Sequence, residues 1–233
     1  NVGFTGDRFY RPLWMSDSFS EYQGSVMFID PSGRGNDELG YAVVNQLNGQ
    51  LFVTAAGGMK GGYEDSNLKA LALIARENNV KLVLTESNFG DGMFTKIFTP
   101  VLSKIYPCTI EEVRHHTQKE KRIIDTLEPI MNQHRLIIDK KVVAHDAKTP
   151  DKNYQLFYQL TRVTKERGAI KHDDRLDALA GAVAYWVESM GRDVDNAAQA
   201  DYEEKLMAEL ETFSNQVFSI REESRSDLTW VDT

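Results

Sequence analysis

Asn48-Gly49 divides two apolar-rich runs, Leu39 to Leu47 and Gln50 to Ala55. An Asn-Gly pair accepts the two positive φ values of a type I′ turn, so the runs are expected to fold back as an antiparallel hairpin. A third run stands before them. Ser25-Val26-Met27-Phe28-Ile29-Asp30 is short and mostly apolar, and it is ended by Pro31-Ser32-Gly33-Arg34-Gly35-Asn36, which is dense in turn formers. Three strands at the start commit the chain to a sheet, and later segments must supply the layers that cover it.

Gly57-Gly58 and Gly61-Gly62 are expected to break the strand pattern. A helix follows with Leu68, Leu71, Ala72 and Ala75 on one face, started by Asp65 or Ser66 and ended at Asn78-Asn79. Val80 to Glu86 reads as a buried strand closed by Ser87-Asn88-Phe89-Gly90-Asp91-Gly92. A second helix carries Phe94, Ile97, Phe98, Val101 and Leu102, and Pro107 to Val113 supplies a fifth strand. Lys119 to Gln133 is a third helix with Ile123, Ile124, Leu127, Ile130 and Met131 inward, and Pro129 is expected to kink it or end it early. One or two short strands are expected over Arg135 to His145, two of them forming a hairpin around Asp139-Lys140-Lys141, and a short helix over Tyr154 to Thr164.

Asp173 to Met190 gives the clearest helical pattern, with Leu176, Ala180, Val183, Ala184 and Val187 in one stripe. Its Ala and Gly residues suit close packing on a sheet. A separate acidic helix is expected over Asn196 to Ser219. The order predicts an α/β fold, a mixed central sheet flanked by helices, in three parts. Residues 1–24 form a linker or leading arm, 25–190 the α/β core, and 191–233 an acidic helix and tail. The chain opens on Asn1 rather than Met, as expected of an excised domain or a processed product.

Cys108 is the lone cysteine, so neither an internal disulfide framework nor a multi-cysteine zinc site is available. No apolar run reaches the length of a membrane span and no signal pattern opens the chain, so a reducing, cytoplasmic setting is expected. The net charge of −8 argues against a protein that coats nucleic acid without specificity. Its distribution is uneven. Basic residues outnumber acidic ones from Arg114 to Arg175, and acidic residues dominate from Leu176 onward. The middle segment suits phosphates and the end repels them, although two ordinary solvated surfaces give the same pattern.

Three acids share a placement. Asp30 closes the first strand, Glu86 closes the fourth, and Asp174 lies in the first turn of the long helix. In open α/β sheets chemistry collects at the carboxyl ends of strands. Carboxylates gathered at one point repel each other unless a cation stands among them, and oxygen ligands with open positions suit Mg²⁺ or Mn²⁺. Two such ions activate water and stabilise the leaving oxygen of a phosphodiester. Each acid alone has an ordinary reading: Asp30 as a turn initiator, Glu86 as a solvated strand end, Asp173 and Asp174 as helix caps.

Three segments resemble the nuclease domain of tailed-phage terminase large subunits, and the short-tailed phage type is the most similar. They are the strand ending Phe28-Ile29-Asp30 with Gly33-Arg34-Gly35-Asn36-Asp37 after it, the strand ending Thr85-Glu86-Ser87-Asn88, and the helix opening His172-Asp173-Asp174-Arg175-Leu176-Asp177-Ala178. The similarity spans Ser25 to Met190. It implies a ribonuclease H/RuvC-like fold and an endonuclease that cuts concatemeric viral DNA during genome packaging, using Mg²⁺ or Mn²⁺ as two ions. It also implies metal ligation by Asp30, Glu86 and Asp174, with Asp173 and Asp177 as adjacent candidates; the family pattern favours Asp174. Lys119, Lys121 and Arg122 match the family's basic helix start and are candidates for phosphate contacts, with solvated surface as their plain alternative. Asp37 is an auxiliary acid or a turn residue, and His172 orients the helix start. His115-His116 has no partner spacing that demands a metal.

The partners implied are double-stranded DNA, an ATPase motor domain, the portal and the small terminase subunit, in the host cytoplasm and outside the mature virion. Gly57-Gly58-Met59-Lys60-Gly61-Gly62 lacks the Lys-Ser/Thr ending of a phosphate-binding loop, so ATPase activity is not expected of these residues. Two alternatives stand beside this reading. One is a docking module that binds portal or capsid components through the acidic C-terminal segment. The other is a resolvase-like nuclease on the same fold. A restriction-type nuclease fits less well, because Glu86 is followed by Ser87-Asn88 and not by the Glu-x-Lys pair.

Overall fold

The computed structural model describes residues 20–31, 37–87, 92–114 and 117–226. The arm up to residue 19, most of the Pro31–Asn36 turn, the Asn88–Asp91 part of the loop after Glu86, His115-His116 and the tail beyond Ser226 lie outside the described residues. Six strands form one sheet in the order β5-β4-β1-β2-β3-β6. They are β1 (Gly24–Asp30), β2 (Leu39–Leu47), β3 (Gln50–Met59), β4 (Leu82–Glu86), β5 (Thr109–Val113) and β6 (Leu136–Ile138). The helices are α1 (Asp65–Glu77), α2 (Met93–Ile105), α3 (Lys119–Asn132), α4 (Lys140–Asp146), α5 (Leu156–Arg162) and α6 (Asp174–Ser226), with a short 3₁₀ turn at Lys152–Tyr154.

The hairpin forms as the Asn-Gly pair predicts. Asn48 and Gly49 take φ of 50° and 76°, and Leu47 pairs with Gln50 across the turn. β1 runs antiparallel to β2 but parallel to β4, and β4 is parallel to β5, so the sheet is mixed. β1 is the hinge of this arrangement: its parallel partner brings a second carboxyl end to the same edge as its own.

Side chains of β1 alternate between two cores. Met27 and Ile29 join Val43, Leu71, Phe94 and Phe98 in the cluster beneath α1 and α2. Phe28 turns the other way, toward α6, where a Cβ on Gly181 would come within 2.6 Å of its ring. Trp186 then donates from Nε1 to the Val44 carbonyl at 2.9 Å, fixing α6 along β2. The Ala/Gly stripe of the sequence therefore serves close helix-on-sheet contact.

Several local expectations are corrected. β3 continues through Gly57-Gly58 to Met59. These glycines admit close neighbours: a Cβ on Gly57 would lie 2.8 Å from the Tyr41 hydroxyl, and one on Gly58 would lie 2.1 Å from Glu38 Oε2. Arg135 to His145 holds a single strand, β6, and then α4, because the Asp139 carboxylate accepts from Lys141 N–H at 2.8 Å and caps a helix there. Pro129 neither shortens nor ends α3, which runs on to Asn132. Met131 and Val187 are exposed, not inward.

The acidic helix is not separate; α6 is one element, since Gly191 alone disfavours helix by only about 1 kcal/mol. The chain nevertheless divides into two compact units between Val187 and Glu188. In the second, Tyr202, Met207 and Leu210 are exposed. Among the described residues no helix is long and apolar enough to cross a membrane.

A buried ion network anchors the first turn of α6. Arg175 donates from Nε to Glu38 at 2.9 Å and from Nη1 to Asp146 at 3.1 Å and Thr149 Oγ1 at 3.0 Å. Asp146 also accepts the N–H groups of Leu156 at 2.8 Å and Phe157 at 3.1 Å, which start α5. Every charge in the network has a partner, as burial demands.

Candidate metal centre

Parallel pairing brings the first two acids together. Ile29 stands beside Thr85, so the residues that follow, Asp30 and Glu86, leave the sheet side by side. The third acid comes from α6. Asp177 N–H donates to the Asp173 carbonyl at 2.8 Å, the first turn of the helix, and its side chain descends toward the strand ends. Carboxylate oxygens of Asp30, Glu86 and Asp177 lie within 4.8 Å of one another. Their side chains are 14%, 7% and 1% exposed, so little water screens their repulsion.

Helix α3 supplies the opposing charge. Lys119 Nζ lies 3.4 Å from Asp30 Oδ2, 3.0 Å from Asp173 Oδ1 and 3.1 Å from Asp177 Oδ2. One turn on, Arg122 Nη2 donates to Asp177 Oδ1 at 2.5 Å, and Nη1 is 3.5 Å from Glu86 Oε1. The satisfaction is incomplete. Asp177 Oδ2 and Arg122 Nε are buried without a well-directed hydrogen bond.

The acids respond electrostatically. Burial pushes the Asp30 carboxyl well above the usual carboxylate range; Lys119 opposes this, while Asp177, Glu86 and Asp174 add to it. Glu86 is raised by burial and by Asp177, against Arg122, Lys119 and a hydrogen bond from Asp30. Burial works to discharge Lys119, but Asp177, Asp30 and Asp173 outweigh it and raise its pKa. Two basic side chains thus offset the charge of a group that a divalent cation would hold directly. Three oxygen-donor acids and an underused Asp177 oxygen fit a hard cation such as Mg²⁺ or Mn²⁺.

Asp174 lies elsewhere. Its carboxylate groups with Asp37 and His172, within the same 4.8 Å limit. Its Oδ2 accepts weakly from Glu38 N–H at 3.4 Å. Burial, with Asp173 and Asp37 and against Lys119 and the Glu38 N–H, raises its pKa to about 6. The structure therefore brings together Asp30, Glu86 and Asp177, and sets Asp174 in a neighbouring group and Asp173 against Lys119. The three-residue spacing between Asp174 and Asp177 is nearly one helical turn, so sequence alone leaves open which acid meets the strand ends.

Of the three basic candidates, Lys119 and Arg122 face the carboxylates and Lys121 is exposed. Their role as internal counter-ions was missed in the sequence. The i, i+3 spacing of Lys119 and Arg122 puts both on one helix face and is the signal that carries it. His172 is buried and stacked on Tyr154, ring centroids 4.0 Å apart at 18°.

Residues 29–136 match the family described as Terminase Bacteriophage T7, Ribonuclease H-like domain. Over 200 residues the chain is 46% identical to the terminase large subunit of Enterobacteria phage T3, covering 83% of this chain and 34% of that protein. The chain thus spans about a third of the length of this curated relative. The fold resembles the manganese-soaked nuclease domain of human cytomegalovirus terminase, with a TM-score of 0.51 and 12% identity, covering 70% of this chain and 82% of that one. It also resembles a structure from the large terminase subunit of bacteriophage Sf6 with calcium, with a TM-score of 0.50 and 15% identity, covering 71% and 90%. At these identities the structural likeness concerns the fold.

Proposed function

The chain carries a terminase ribonuclease H-like nuclease domain, and from that premise we propose that it is the DNA-cutting part of a large terminase subunit. In this reading it is a metal-dependent endodeoxyribonuclease that cleaves concatemeric viral double-stranded DNA during genome packaging. The observation that carries it is the convergence of Asp30, Glu86 and Asp177 within 4.8 Å at the carboxyl ends of two parallel strands. The manganese and calcium of the two structural relatives support a divalent cation in this fold.

Asp30, Glu86 and Asp177 would hold the metal, with Asp173 just before α6 and Asp174 at its start as further carboxylates. Bound there, Mg²⁺ or Mn²⁺, as a pair of ions, supplies activated water and neutralises the leaving oxygen of the phosphodiester. Arg122 keeps Asp177 and Glu86 aimed at the centre. With a metal bound to those carboxylates, Lys119 would be available to contact a phosphate, and exposed Lys121 would extend that basic surface. Sequence preference is not expected from contacts of this kind, which depend on charge.

ATP turnover is assigned to the part of the large subunit that this chain does not span. Contacts with the portal and the small terminase subunit belong to the assembled packaging complex, which acts in the host cytoplasm. A second reading, docking through the acidic C-terminal segment, is favoured by the exposed Tyr202, Met207 and Leu210, and is compatible with cutting. The test is cleavage of supercoiled plasmid by the purified chain. Nicking and linearisation should require Mg²⁺ or Mn²⁺, cease with chelator and be lost in Asp30→Ala. Full cleavage by Asp30→Ala would overturn the assignment.

A further inference from the structure

The group formed by Asp37, His172 and Asp174 differs from the carboxylate centre in one respect that matters chemically: it contains a nitrogen donor. The His172 side chain is 7% exposed, and its Nδ1 is buried with no hydrogen-bond partner. A buried ring nitrogen left without a partner is costly and is rare in folded proteins. Asp37 holds Oδ1 3.8 Å from this nitrogen, beyond hydrogen-bond reach. Stacking on Tyr154 fixes the plane of the imidazole, so this nitrogen is aimed into the group rather than free to turn out.

Asp174 closes the group from the helix side. One of its oxygens takes only a long contact, 3.4 Å, from Glu38 N–H. Asp37 is 61% exposed at the side chain, which leaves a path from solvent. Two carboxylates and one imidazole with open positions suit a borderline divalent cation better than the harder Mg²⁺.

We propose that Asp37, His172 and Asp174 form a second cation site, one that takes Mn²⁺ or Zn²⁺ through His172 Nδ1 and two carboxylates. Its place in the fold gives it a purpose. Asp37 stands just before β2, His172 just before α6 and Asp174 at its first residue. An ion there ties the start of β2 to the helix that delivers Asp177, clamping the geometry of the neighbouring centre. The site does not depend on whether the chain cuts DNA.

The experiment is pulsed electron paramagnetic resonance of Mn²⁺ bound to the purified chain, which detects coupling to ¹⁴N only when a nitrogen ligates. Wild-type protein should show that coupling, and His172→Gln should lose it together with one bound Mn²⁺ per chain. Asp37→Asn alters only an exposed side chain and should weaken the nitrogen-coupled site at least tenfold in a Mn²⁺ titration, which covers the case in which His172→Gln does not fold. Glu86→Gln should keep the nitrogen coupling. Absence of coupling in the wild type at saturating Mn²⁺ would overturn the proposal. So would coupling that persists in His172→Gln, unchanged affinity in Asp37→Asn, or coupling that disappears in Glu86→Gln.

Discussion

Gly40 lies against the main chain of Asp174: a Cβ at position 40 would stand 2.2 Å from the Asp174 carbonyl oxygen. Gly40 is also the residue paired with Asp30 across the β1–β2 ladder. The missing side chain is what allows the first turn of α6 to settle beside the end of β1. Gly40→Ala must displace that turn, because the obstructing atom is backbone and cannot swing aside. Plasmid cleavage by Gly40→Ala should fall at least tenfold, with a lower melting temperature in circular dichroism. Cleavage at the wild-type rate would show that α6 is positioned by other contacts.

Asp30 burdens the fold in the absence of metal. Burial, with Asp177, Glu86 and Asp174 against Lys119, raises its folded-state pKa above the unfolded value of about 3.9. A raised carboxyl pKa contributes stability below the unfolded value and loses it as pH rises through the folded one. Metal-free protein should therefore lose this contribution progressively above about pH 4. Asp30→Asn, which cannot ionise, should melt higher than wild type at pH 7.5 without metal and should gain less from added Mn²⁺. Thermal melts with and without chelator at pH 5 and 7.5 measure both effects. Equal melting temperatures throughout would refute them.

In the proposed site Lys119 and the cation would occupy the same oxygens. Removing its charge in Lys119→Met should strengthen Mn²⁺ binding several-fold, measured by isothermal titration, while lowering the melting temperature of the metal-free chain. The phosphate contact assigned to Lys119 gives a second readout, since the salt dependence of DNA binding should become shallower by about one charge. Weaker Mn²⁺ binding in this variant would mean that Lys119 supports the site instead of competing for it.

Asp146 carries structure, not chemistry. It neutralises buried Arg175 and accepts both N–H groups that open α5. Asp146→Ala leaves Arg175 with Glu38 as its remaining carboxylate and strips the acceptor from both α5 N–H groups, and should cost about 2–4 kcal/mol. Urea denaturation followed by tryptophan fluorescence should show the midpoint falling with little change in slope. A loss below about 1 kcal/mol would place the network in the class of weak surface pairs.

Much of this was legible from residue pattern. Asn48-Gly49 announced the hairpin, and the apolar runs ending in Asp30 and Glu86 announced two strands whose ends carry acids. What pattern could not supply was lateral order. Nothing in the sequence states that β4 pairs beside β1, and it is that pairing which sets Asp30 next to Glu86. The choice between Asp174 and Asp177 depends on how α6 is rotated over the sheet, which the Gly40 and Gly181 contacts fix in three dimensions. Lys119 and Arg122 read as an ordinary solvated helix start because their partners are 36 to 89 positions away along the chain. Asp139 shows the opposite failure: an unremarked local cap made a helix where short apolar stretches suggested a second strand.

The central claim is that Asp30, Glu86 and Asp177 together hold a divalent cation. Crystals grown with Mn²⁺, with diffraction collected on both sides of the manganese absorption edge, locate the ion without reference to activity. The expected result is an anomalous peak coordinated by Asp30 and by oxygens of Glu86 or Asp177, with the Lys119 ammonium withdrawn from them. A fully occupied Mn²⁺ elsewhere on the chain, with Lys119 still seated among these three carboxylates, would contradict it.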